Sequence, residues 1–326
     1  MLRPRRRRPR LSAELVSRTR SVDEVRTARL LEQLYHTSHD RSWDGRQVLA
    51  ELLEAHGAID LPDPQRKALG RLLSIALVGE LASWKVAAAL ALDLESVEAR
   101  MAATAQAHDE ARHFYVLHDY LELLGCDPEP LPVAVEGVLD EVLLTRDPVR
   151  RVLGLELLIE PVAMTLYSLV REAGLEPILG ELLGHFEADA TRHLVLGWEL
   201  VPRMLAAAAP RRKLRLFAWH ARMAMRQLDG MVQVAEDLRC LGFDPRDVVL
   251  RGQQRQMQAL SELFRLSGGP LLGQDALVNL VEARIQWDFP DPGAPNDLPR
   301  KLRRSLESLA AGPAPDRRHT LVAAES

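Results

Sequence analysis

Cysteine is scarce: Cys126 and Cys240 are the two in 326 residues, too few to suggest a disulfide framework. Strand signals are missing too. There are no alternating β-branched runs, and no Asn-Gly or Asp-Gly turn sits between two strand-like segments. Serine- and cysteine-based nucleophile motifs are absent, as are glycine-rich phosphate loops. Lysine is rare, so basic charge is nearly all arginine, the bias of a GC-rich bacterial genome. A net charge of -4 gives no overall bias toward nucleic acid. The 47% hydrophobic content excludes a wholly disordered chain, and the length suits a large core.

Two features could be mistaken for targeting or anchoring signals. Met1 to Arg10 is polybasic, but no apolar stretch comes after it, so it reads as neither a secretory nor a twin-arginine signal. It reads as a solvated arm, ahead of a contact with nucleic acid or an anionic membrane. The run Leu72 to Leu92 is long enough to consider as a membrane span. Glu80, Lys85 and its many alanines argue instead for a buried bundle helix.

Helix signals are abundant. Asp63-Pro64 reads as an N-cap and a first-turn proline, opening a helix to about Leu92. A second helix is expected from about Ser96 to Leu124, ending at Gly125. A third starts at Asp147-Pro148 and ends near Gly174. A fourth runs from about Pro177 to Ala209, and Pro202 should kink it. Further helices are expected at about Arg212–Leu241, Pro245–Leu266, Gln274–Trp287 and Leu298–Leu309, with two earlier ones at Val22–Tyr35 and Arg46–His56. The expectation is an all-α chain: a disordered basic arm over 1–20, one domain over 21–311 and a disordered tail over 312–326. Within the domain, the core bundle spans about 63–209 and accessory helices about 212–309.

Glu80 interrupts an apolar run, where a charge is costly unless paired. A shift of 80 residues superposes Glu80 on Glu160, Asp109 on Asp189, Arg112 on Arg192 and His113 on His193. Four-helix bundles that hold two metal ions use this pattern: one glutamate from each of two helices and a Glu-x-x-His pair from each of the others. The i, i+3 spacing puts both donors of a pair on one helical face. Carboxylates and imidazoles suit divalent iron and manganese. The candidate ligands are therefore Glu80, Glu110, His113, Glu160 and His193. Asp109 and Asp189 are candidates to orient the opposite helix's histidine, Asp109 for His193 and Asp189 for His113. The competing reading is an aspartate paired with a nearby arginine. One position breaks the repeat, because Glu110 faces Ala190.

Together with Ser42-Trp43-Asp44, the segments Val78-Gly79-Glu80, Asp109-Glu110-Ala111-Arg112-His113 and Asp189 to Gly197 resemble the ferritin-like superfamily. The branch they are most similar to holds the ribonucleotide reductase small subunit and the ligand-binding di-metal oxidases. The resemblance covers roughly Tyr35 to Ala209. It implies a ferritin-like four-helix bundle with added N- and C-terminal helices. It also implies two iron ions, or iron with manganese, that activate dioxygen to oxidise a small organic substrate; the apolar helix faces could enclose a channel for a hydrophobic one, although the default use of such a face is core. The family's sixth ligand falls on Ala190, which weakens or empties the second metal site. Asp189 cannot replace it, because neighbouring helical residues point about 100° apart. Glu187 and Glu156, each about one turn away, are the substitute candidates. The small subunit's radical tyrosine falls on Leu117, and the cross-linking oxidases' tyrosine on Leu155, so a reductase subunit is not expected. Tyr120, Tyr167 and Trp84, on neighbouring turns, read as plain core. The alternatives are a non-catalytic bundle that keeps metal or hydrophobic-ligand binding, and a metal-free scaffold in which Arg112 and Arg192 pair with Glu80 and Glu160. A cytoplasmic protein and a homodimer, with no nucleic-acid partner and no membrane span, complete the expectation.

Overall fold

A computed structural model describes residues 21–311, apart from 207, 267–273, 292 and 294. The expectations for the basic arm and the tail fall outside these residues. Among the described residues there is no strand.

Two helices precede the bundle: α1 (Val22–Asp40), opened by a Ser21–Glu24 capping box, and α2 (Gly45–His56), capped by Asp44. The bundle comes next. Helix α3 (Asp63–Asp93) carries Glu80, and α4 (Val97–Leu124) carries Glu110 and His113. The connection between them is so short that they pack as an antiparallel pair. Ser96 caps α4, and Gly125 ends it at φ +71°, a left-handed conformation that favours glycine. Helix α5 (Val133–Leu144) leads to α6 (Pro148–Gly154), a π-turn (Leu155–Ile159) and α7 (Glu160–Glu172). Helix α8 (Pro177–Ala206) completes the bundle with His193. Its first turn is capped by the buried Glu176, whose carboxylate accepts from the Ile178 and Leu179 amides at 3.1 and 2.7 Å and from the Tyr120 hydroxyl at 2.7 Å.

Several expected boundaries change. Asp63 lies inside α3 with Pro62 at the N-cap, and its carboxylate binds Arg66 and Lys67. Helix α5 is an addition to the expected set, since it opens without a polar cap. Helix α8 passes through Pro202 and ends at Ala206. The third bundle helix is interrupted by the π-turn, and Pro161 accounts for it. Proline has no N–H and its ring crowds the carbonyl four residues back. Just before Pro161 the Glu160 amide bonds to Leu155 O, five residues back, and Leu158 O accepts from Gln227 Nε2 at 2.8 Å. Beyond α8 the chain continues with α9 (Pro210–Gln233), separated at Val234 from α10 (Ala235–Cys240), then α11 (Pro245–Leu266), α12 (Gln274–Asp288) and α13 (Leu298–Ala310).

The core forms two apolar clusters stacked along the bundle. One contains Leu69 to Leu77 of α3, Val116 to Leu124 of α4, and Ile178 to Phe186 at the start of α8. The other contains Ala82 to Leu90, Ala99 to Ala107, Leu157 to Ile159, and Leu196 to Leu205. Each of these helices passes from one cluster to the other at its acidic or imidazole residues. The polar centre therefore lies at mid-bundle, sealed above and below by apolar layers. The stretches Asp63–Asp93 and Pro148–Glu172 are long and apolar enough to cross a membrane, yet here both contribute to this core.

Candidate metal centre

Glu80, Glu110, His113, Glu160 and His193 converge, each 5% exposed or less. They form two triads that share Glu110: Glu80, Glu110 and His113 in one, Glu110, Glu160 and His193 in the other. Within each triad, donor atoms from all three residues lie within 4.8 Å of one another. His113 Nδ1 is 3.3 Å from Glu80 Oε2 and 3.5 Å from Glu110 Oε2. His193 Nδ1 is 3.1 Å from Glu110 Oε1 and 3.4 Å from Glu160 Oε1, and no hydrogen bond satisfies it. Both imidazoles thus direct Nδ1 at the carboxylates.

Their Nε2 atoms face outward and cross the bundle. His113 Nε2 lies 2.9 Å from Asp189 Oδ2, and His193 Nε2 lies 3.3 Å from Asp109 Oδ2. Each aspartate also receives the arginine three residues ahead, Arg112 on Asp109 at 2.6 Å and Arg192 on Asp189. Arg112 reaches Asp189 as well, at 2.8 Å. Aspartate pairing with histidine and with arginine therefore coexist. Both arginines are committed to these aspartates, which removes the scaffold arrangement in which they would neutralise Glu80 and Glu160. Trp43 and Ser42 anchor the network from the chain before α2: Trp43 Nε1 donates to Asp189 at 2.9 Å, and Arg112 donates to Ser42 Oγ at 3.1 Å.

Charge crowding perturbs most members. Burial would raise the Glu80 pKa, but His113, Glu110 and Tyr167 hold it below the ordinary value. Glu110 is pushed up to about 8, by burial first and then by the charge of Glu160. Burial works against the charged imidazoles, yet the surrounding carboxylates raise both: Asp189, Glu110 and Glu80 act on His113, and Glu110, Asp109 and Glu160 on His193. Asp109 and Asp189 are depressed despite burial, chiefly by His193 and His113 respectively.

The two substitute candidates part company. Glu187 turns away and pairs with Arg171. Glu156 is 1% exposed and sits in the π-turn; neither carboxylate oxygen has a partner within 3.5 Å, although Gln106 lies near enough to act on its charge. Burial, then the charge of Glu160, raises its pKa well above the usual range. Ala190 is buried on α8.

Solved structures share this architecture. A variant of an R2-like ligand-binding oxidase with an aerobically reconstituted Mn/Fe cofactor aligns with a TM-score of 0.58 at 16% identity, over 71% of this chain and 93% of its own. Another variant, with an Fe/Fe cofactor, aligns at 0.58 and 15% identity, over 71% of this chain and 92% of its own. Protein 19 from Synechococcus, with aldehyde deformylating oxidase activity, aligns at 0.51 and 16% identity over 62% of this chain and 92% of its own. The fold is ferritin-like. No family model matches the sequence, and no curated protein matches it.

Within the ferritin-like bundle, two further polar groups stand beside the triads. Gln106 Nε2 donates to Glu110 Oε1 and Glu160 Oε1, both at 3.3 Å. Sequence reasoning missed it, although its spacing of four before Glu110 is a usable signal. The Tyr167 hydroxyl donates to Glu80, so this side chain is more than the plain core expected of it. Beside the triads lies a cavity of about 220 Å³. Glu80 and Glu160 border it, and its walls are mainly apolar side chains of α3, α5, α7, α9, α11 and α12.

Proposed function

We propose that this protein is a non-haem di-metal oxidoreductase, holding two iron ions or iron with manganese, that uses dioxygen to oxidise a small apolar organic substrate. The observation that carries this reading is the pair of triads sharing Glu110. The donor set fits divalent iron or manganese: buried carboxylates and imidazoles, with no thiolate. The unsatisfied Nδ1 of His193 and the crowded carboxylates are what a cation would relieve. Glu80, Glu110 and His113 would hold one ion, and Glu110, Glu160 and His193 the other. Such ions supply the electrons for reducing dioxygen.

The chain's own residues would do the rest. With metal bound, Asp189 and Asp109 would accept from Nε2–H of the two imidazoles, leaving the Nδ1 lone pair of each to face the centre. Tyr167 and Gln106 hold Glu80, Glu110 and Glu160 in place. The apolar layers exclude bulk water, and the cavity bordering Glu80 and Glu160 is where an apolar substrate would lie.

The test is anaerobic loading with Fe(II), alone and with Mn(II), then metal analysis and oxygen uptake with a reductant. The expected result is about two ions per chain and oxygen consumption that depends on them. Protein that takes up neither metal overturns the reading. A second reading, a bundle that binds metal or a hydrophobic ligand without turnover, is favoured by Ala190, which removes a carboxylate from α8. It predicts metal uptake with no oxygen consumption above the free-metal rate.

A further inference from the structure

Two observations on facing elements converge on Glu156. The first is its own state: buried, acidic and with no partner within hydrogen-bond distance of either oxygen, Gln106 being the nearby amide. A side chain in that position is kept either as the neutral acid or, once deprotonated, by a cation that reaches it. The arginines of the centre do not serve, because Arg112 and Arg192 hold Asp109 and Asp189. The second is the surface of α8 opposite. A Cβ at Gly197 would stand 2.7 Å from both Cβ and Cγ of Glu156, so the glycine makes room for the glutamate stem. Ala190, His193 and Gly197 have i, i+3, i+7 spacing, one face of α8 with the imidazole between two small residues. The carboxylate missing at 190 and the space at 197 thus share the face that Glu156 packs against.

The π-turn supplies the geometry. Pro161 follows the π-turn in the first turn of α7, and π-turns are frequent at functional sites. Glu156 precedes Glu160 by four residues and packs on Gly197, four residues beyond His193, so it flanks two members of one triad without being among the donors that lie within 4.8 Å of one another. Counting it, the centre holds four carboxylates free of arginine, Glu80, Glu110, Glu156 and Glu160, and two imidazoles. Once deprotonated on metal binding, these four would match the charge of two divalent ions.

We propose that Glu156 is a metal ligand, and that its carboxylate, delivered from the π-turn, replaces the donor that Ala190 lacks at the ion held by Glu110, Glu160 and His193. The centre is then complete, with its sixth donor moved from α8 to the π-turn. This assignment rests on the di-metal reading of the two triads.

The test compares wild type, Glu156→Gln and Glu187→Gln, each loaded anaerobically with Mn(II). Metal stoichiometry and Tm are measured with and without the ion. Wild type and Glu187→Gln should bind about two ions per chain. In Glu156→Gln the ion held by Glu110, Glu160 and His193 should bind at least about tenfold less tightly and the Mn(II)-induced rise in Tm should shrink. The metal-free Tm of Glu156→Gln should equal or exceed that of wild type, which shows the variant to be folded. A Glu156→Gln variant with two ions and an undiminished Tm rise overturns this assignment and leaves the di-metal reading intact. A wild type that takes no ion overturns both.

Discussion

His113 on α4 and Asp189 on α8 meet across the bundle, Nε2 to Oδ2 at 2.9 Å, and the same oxygen takes Arg112 and Trp43. Three donors thus share one carboxylate oxygen. His113 and Arg112 depress the Asp189 pKa despite burial, with the Trp43 hydrogen bond adding to them. Its contribution to stability is therefore present above the ordinary carboxylate value and is lost as pH falls below it.

Asp189→Asn tests the pairing. The substitution keeps the shape, removes the charge facing Arg112 and Arg192, and weakens the hold on His113. Breaking one partner of a buried ion pair costs about 3–5 kcal/mol. Urea denaturation of the metal-free protein at neutral pH should show a loss of that order, and Mn(II) affinity should fall about 10–100-fold. An unchanged urea midpoint would contradict the network.

Glu110 belongs to both triads, whereas Glu187 belongs to neither and pairs with Arg171. Glu110→Ala should therefore abolish binding of both ions, and Glu187→Ala should leave the stoichiometry at the wild-type value. Elemental analysis after identical loading decides it. Equal losses in the two variants would mean that the shared-ligand geometry is not the binding geometry.

Much of this centre is legible in the chain because helical periodicity converts spacing into direction. Glu110 and His113 share a face by their spacing alone, and the 80-residue shift brings in Glu80, Glu160 and His193. What escapes depends on contacts between distant segments. Tyr167 reaches Glu80 from α7, and nothing in its own stretch of chain signals that contact. The choice between Glu156 and Glu187 turns on the local helix type. Pro161 marks the irregular turn, but which way the preceding glutamate swings depends on Gly197 on another helix. Helix α5 is hidden by its uncapped start after Pro132. The C-terminal helices are legible as helices, whereas their place around the cavity is not, since an apolar face serves core and cavity alike.

Protons and metal ions should compete at this centre. In the metal-free protein Glu110 keeps its proton up to about 8, while an unfolded chain releases it near the ordinary value of 4.5. The native state binds more protons over that interval, so this group's contribution to stability is full below 4.5 and falls as pH rises to about 8. The raised pKa values of His113 and His193 act in the same direction above their ordinary value of 6.5. Bound metal requires the deprotonated ligands, which reverses the trend. The Mn(II)-induced rise in Tm should therefore grow from about pH 6 to about pH 8. Thermal scans across that range check it, and a gap that narrows with pH would count against carboxylate ligation.

The cavity offers a test that leaves the metals alone. Ala224 on α9 is 8% exposed and lines the 220 Å³ space, with Leu228 on the same helix and Ile75, Ala76 and Leu72 contributed by α3. Ala224→Phe should place a ring in that space. None of the carboxylates or imidazoles of the centre lies on α9, so metal stoichiometry should match wild type. Anilinonaphthalene sulfonate, a fluorescent apolar probe, should bind wild type and lose at least about tenfold in affinity in the variant, a difference of about 1.4 kcal/mol. Overpacking would cost about 1–3 kcal/mol if the cavity were already filled by its own side chains. A large drop in Tm with unchanged probe binding would therefore show a closed core rather than a substrate pocket. A near-constant Tm with lost binding would place the apolar ligand beside Glu80 and Glu160, where an oxidised substrate has to be.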